Sequence, residues 1–229
     1  MNDFTGIILA IILLTNIAMA ASSRLLHCIK IIAVQGLLIG LLSLTSLNFA
    51  STETHLHLYI AAFINMGVKF IVLPSLLIAA MRKTNTKREL EPFVGYSASV
   101  SIVFALTAAS FLACTQFDMS TGTMSKLAIP TALATIFTGL FMIIARKKAI
   151  TQVVGFLMFE NGIAVFGAGI MLECGLLVEL GILLDVLVLV FIMGIAIFHI
   201  NREFSHIDAD RLNHLGDHQP ELPEPDSAL

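Results

Sequence analysis

Two side chains of opposite charge stand in the middle of long apolar runs: Lys69, within the run that spans roughly 58–81, and Glu160, within the run 150–172. Asp185 lies about two turns into a further apolar run, and Glu179 occupies that run's first turn. In a bilayer an ionisable group at the centre of a helix is unfavourable by about 2.5–3.5 kcal/mol on insertion scales, so a chain keeps one only with a partner or a task. Two chemistries are open for Lys69 and Glu160. They can form a permanent interhelical ion pair, or, because loss of water penalises the charged form of both, they can take up and hand on protons. Asp185 is shallower, where a hydrated carboxylate is an alternative to a relay group. Glu179 also complements the positive end of its own helix.

Polar neighbours surround the two central charges. Asn65 lies one turn before Lys69, and Pro74 follows five residues after it. Proline has no N–H, which leaves the carbonyl near Phe70 without its usual partner and predicts a bend at mid-membrane. Asn161 adjoins Glu160, and Gln35 and Gln152 are further amides in apolar runs. Each can bind across helices or line a polar path.

The elements that must position these groups are transmembrane helices. The chain has 229 residues, 57% hydrophobic and 13% charged, with a mean hydropathy of +0.92 and a net charge of −3; soluble domains are roughly one quarter charged. A span needs about 20 apolar residues. Seven stretches qualify, roughly 4–21, 29–48, 58–81, 95–114, 127–145, 150–172 and 177–200. The fold class is therefore all-α and polytopic, with a four-helix region over 1–115, a three-helix region over 116–200 and a polar tail over 201–229.

Basic residues set the orientation, because cytoplasmic loops are enriched in Lys and Arg. Arg24, Lys30, Arg82, Lys83, Lys87, Arg88, Arg146, Lys147, Lys148, Arg202 and Arg211 fall in alternate loops and the tail, whereas the opposite side carries Lys126. The expected N-terminus is outside and the C-terminus cytoplasmic. Ala18-Met19-Ala20 has the small-x-small look of a cleavage site, but no basic residue precedes the apolar run, so it reads as an uncleaved first span. Gly36 and Gly40, and Gly162, Gly167 and Gly169, are expected to let helices approach closely.

Cys28, Cys114 and Cys174 are far apart and form no CxxC, which argues against an iron–sulfur cluster or zinc site in this chain. The tail residues His199, His206, His214 and His218, and the loop residues His55 and His57, lack an accompanying ligand framework. No nucleophile elbow, phosphate-binding loop or nucleic-acid patch is present.

Several motifs coincide with those of one family. Gly155-Phe-Leu-Met-Phe-Glu160-Asn161-Gly162, then Leu177-Val178-Glu179-Leu180-Gly181 with Asp185, and Lys69 with Pro74, together with the Thr121-Gly122 loop, resemble component E of the hydrogenase-4 type membrane-bound hydrogenases, which are related to respiratory complex I. The resemblance runs over nearly the whole chain. Its last three spans look like the three-helix K subunit of complex I, and the resemblance gives Glu160 the role of that subunit's mid-membrane glutamate in the proton path. Glu160 lies about one turn deeper from the basic turn than that glutamate, and Asp185 is the candidate for the second acidic group. The resemblance implies no cofactor in this chain. It implies antiporter-like membrane subunits as partners and a peripheral arm carrying a nickel–iron centre and iron–sulfur clusters, in the plasma membrane of a bacterium or archaeon.

Overall fold

The computed structural model describes residues 2–50, 56–83, 93–115, 126–146, 149–169 and 194. These residues form α1 (Asn2–Ala21), α2 (Leu25–Ala50), α3 (Leu56–Gly67), a π-helical turn (Val68–Val72), α4 (Leu73–Lys83), α5 (Tyr96–Thr115), α6 (Ala128–Ala145) and α7 (Ala149–Gly169). α3, the π turn and α4 run on as one rod. The described residues therefore hold six helical segments long and apolar enough to cross a membrane. Apart from Gly194, the expected seventh span, 177–200, lies outside them, as does the tail. Phe104, Leu112, Leu14 and Ile144 turn outward, as a lipid-facing surface requires.

The boundaries follow local chemistry. α2 begins at Leu25, earlier than the expected 29, because the Arg24 carbonyl accepts the N–H groups of His27 and Cys28 and the Ser22 hydroxyl. Lys30 therefore belongs to the helix rather than to the loop, and it is exposed, free to reach towards the membrane surface. The third span departs from α geometry where Pro74 removes a donor. The Leu73 N–H bonds the Val68 carbonyl, a five-residue step, so the missing donor is accommodated by one wide turn of the kind often found at functional sites. The Ser75 hydroxyl then bonds the Ile71 carbonyl.

Two apolar clusters fill the interior, one towards each end. The first gathers Met19, Leu25, Ile29, Leu73, Leu77, Met142, Val153 and Met158. The second gathers Leu9, Ile12, Leu38, Leu42, Ala132, Val165 and Ala168. Along α1 and α6 the chain passes from the second cluster to the first; along α2 and α7 it passes the other way, so these helices alternate in direction. Between the clusters, α1, α2, the π turn, α6 and α7 carry buried polar residues: Asn16, Gln35, Lys69, Thr135, Glu160 and Asn161. The molecule has a polar layer between two apolar ones.

Close approach of backbones makes the layer possible. α6 and α7 form the most extensive pair, and a Cβ on Gly139 would strike the backbone of Phe159. One on Gly162 would come within 2.6 Å of the Ile136 nitrogen, and one on Gly155 within 2.9 Å of the Ile143 nitrogen. Gly36 and Gly40 of α2 receive the third span: Gly36 faces Lys69 itself, and Gly40 faces Met66.

A candidate proton-transfer centre in the polar layer

The structure brings Lys69 and Glu160 together. Lys69 Nζ lies 2.6 Å from Glu160 Oε1, and the two side chains are 7% and 2% exposed. The π turn carries Lys69, and Gly36 creates the room: a Cβ at Gly36 would sit 2.8 Å from the Lys69 Cβ and 3.2 Å from its carbonyl carbon and oxygen. The second carboxylate oxygen, Glu160 Oε2, is buried without a hydrogen-bond partner. One oxygen of the carboxylate is thus engaged with the ammonium while the other keeps its acceptor capacity, or can hold a proton.

Beside the ion pair runs a chain of amides and hydroxyls. The Asn161 amide donates to Gln35 Oε1 at 3.3 Å; Gln35 Nε2 donates to Asn16 Oδ1 and to Thr15 Oγ1, each at 2.8 Å; and Asn16 donates to Thr135 Oγ1 at 2.9 Å. Thr135 closes the chain by donating to the Thr131 carbonyl at 2.8 Å. The donors all point the same way, from α7 through α2 and α1 to α6. Buried hydrogen-bond chains of this kind strengthen one another in a low-dielectric interior.

Of the expected site residues, Glu160, Lys69, Asn161 and Gln35 meet in the layer. Asn65 is half-buried on α3 and has no hydrogen bond into the layer among the described residues. Gln152 is exposed and caps the turn between α6 and α7, donating to the Arg146 carbonyl at 3.2 Å. Asp185 and Glu179 lie outside the described residues. Sequence reasoning passed over Asn16, Thr15 and Thr135. The available signal was a lone Thr-Asn pair at the centre of the first span, at the same depth as Gln35 in the second.

A second buried cation sits at one end of the bundle. Arg146, at the C-terminal end of α6, is 1% exposed. Its Nη2 donates to the Ala20 carbonyl at 3.4 Å, and its guanidinium lies over the Tyr96 ring, 5.4 Å from the centroid. Burial pushes the guanidinium below its usual pKa, while Tyr96 and Cys28 pull it back. Among the described residues no three His, Cys, Asp or Glu side chains converge as metal ligands.

The class these features define is a multi-pass helical membrane protein with a charged pair in its interior. No family model and no solved structure matches the chain. It is 30% identical over 161 residues, 66% of this chain and 70% of the relative, to the uncharacterized protein Rv0085 of Mycobacterium tuberculosis, and it belongs to the same family.

Proposed function

We propose that this chain is a membrane-arm subunit of an ion-translocating oxidoreductase complex of the hydrogenase-4 type, with no active site of its own. In this reading the seventh span over 177–200 completes the bundle, the N-terminus is outside and the C-terminus cytoplasmic, and the complex resides in a bacterial or archaeal plasma membrane. Antiporter-like subunits dock beside it. The nickel–iron centre and iron–sulfur clusters belong to the peripheral arm.

The observation that supports the reading is the buried Lys69–Glu160 pair, 2.6 Å apart. At that distance a proton can pass from the ammonium to the carboxylate, leaving a neutral amine and a carboxylic acid; charge is conserved within the pair. A change of potential produced by redox events elsewhere in the complex then favours one state over the other, because low-dielectric surroundings magnify it. Asp185 and Glu179 are the candidates for the outward continuation of the path.

The first test is to purify the tagged chain from its native membrane, identify the proteins that come with it and assay nickel and iron. Antiporter-like subunits with nickel support the hydrogenase-type arm; iron without nickel points to a related oxidoreductase; a lone chain overturns the proposal. Glu160→Gln is expected to abolish or uncouple ion translocation while the complex still assembles.

The geometry of the pair also suits a scaffold whose charges only tie α7 to the third span. The two readings part in the double variant. A scaffold carrying Lys69→Met together with Glu160→Gln works normally, whereas a relay does not.

A further inference from the structure

The ion pair is not the only bond at this depth between α7 and the helices facing it. Asn161, the residue after Glu160, donates to Gln35, the residue before Gly36, and Gly36 is the point where Lys69 presses against α2. Two cross-links therefore lie side by side, one charged and one uncharged. They join the same three elements: α2, the π turn and α7.

Their difference in chemistry has a consequence. The Lys69–Glu160 attraction is strongest while both groups are ionised; once the proton moves from the ammonium to the carboxylate, a neutral O–H···N hydrogen bond remains but most of the Coulombic attraction is gone. The Asn161–Gln35 bond is indifferent to that event. Gln35 is also anchored from behind, since its Nε2 is held at 2.8 Å by both Asn16 and Thr15 of α1. It cannot follow α7 outward without breaking bonds to a third helix.

We infer that Gln35 and Asn161 form a charge-independent latch, which keeps Glu160 within proton-transfer distance of Lys69 during the neutral half of the cycle. This rests on the relay reading above. Gln35 and Asn161 are positioning residues: neither carries the proton in the transfer between Lys69 Nζ and the Glu160 carboxylate. Asn16 and Thr15 are the latch's footing, and their place in the first span makes α1 part of the site.

The test uses the native complex in membrane vesicles and measures ion translocation per redox turnover, with the melting temperature of the purified complex as a second readout. Gln35→Leu with Asn161→Leu removes both halves of the latch. It is expected to slow translocation by about tenfold, since small misplacements of reacting groups have effects of this order or larger. The exchanged pair, Gln35→Asn with Asn161→Gln, keeps one amide on each side of the gap and is expected to restore most of the rate.

A latch acts on transfer, so the double leucine variant is expected to remain slow even in preparations that melt as the native complex does. Native translocation by that variant overturns the latch, and so does failure of the exchanged pair to outperform it at equal melting temperature. Native translocation by Glu160→Gln overturns the relay itself. Loss of function in Glu160→Gln with none in the double leucine variant removes the latch alone.

Discussion

Lys69 and Arg146 are both buried cations, and the protein holds them in different ways. Lys69, in the polar layer between the two apolar clusters, has a carboxylate at 2.6 Å. Arg146, at the end of α6, has a backbone carbonyl at 3.4 Å and an aromatic face at 5.4 Å, with no carboxylate in ion-pair range among the described residues. The difference is one of depth. At mid-membrane the lysine is met by a formal counter-charge, which offsets part of its desolvation. At a helix end, the partial negative charge of the α6 and α1 C-termini is available, and a delocalised guanidinium accepts it together with a tyrosine ring. On the proposed relay the first arrangement changes its charge state by an internal proton transfer, whereas the second is a fixed peg.

The contrast can be broken by experiment. The largest effect is expected from Glu160→Leu, which removes the counter-charge of Lys69 and should destabilise the protein by about 3–5 kcal/mol; adding Lys69→Met should return most of that, read as melting temperature in mild detergent. A double variant no more stable than the single one would show that the pair is not what offsets the lysine. Gly139→Val comes next. Its side chain meets the backbone of Phe159, one residue from Glu160, and overpacking of this kind is unfavourable by about 1–3 kcal/mol. On the proposed relay, loss of translocation should accompany the lowered melting temperature, because α7 must shift. Arg146→Met should be mildest, at about 1–2 kcal/mol, the sum of one long hydrogen bond and a ring contact. If it proved as damaging as Glu160→Leu, the argument from depth would fail.

Much of this was legible in the sequence because hydropathy reports depth. The six described spans fall within a few residues of their expected limits, and Lys69 and Glu160 stood out as charges in apolar runs. Pro74 announced irregular geometry, and the π turn at Val68–Val72 is where that expectation lands. What hydropathy does not report is azimuth. Nothing in the runs said that Gln35 faces Asn161 and not lipid, that Asn16 supports both, or that Gln152 turns out to the surface while Arg146 turns in. Gly36, Gly40 and Gly162 were recognisable as thin surfaces, but Gly139 and Gly155 were not, since a lone small residue acquires meaning only from the helix that leans on it.

The two members of the ion pair are 91 residues apart in the chain. A polypeptide made from its N-terminus exposes Lys69 to the membrane while Glu160 has yet to be synthesised. For that interval the third span must be admitted on its own credentials, and the mean hydropathy of 1.9 of its 18-residue window within Ala62–Arg82, lysine included, is what supplies them. The pair therefore belongs to the finished bundle and not to its insertion. Arrival of α7 is the event that converts an uncomfortable lysine into a settled one, and it makes synthesis of that helix a checkpoint for the packing of the spans before it.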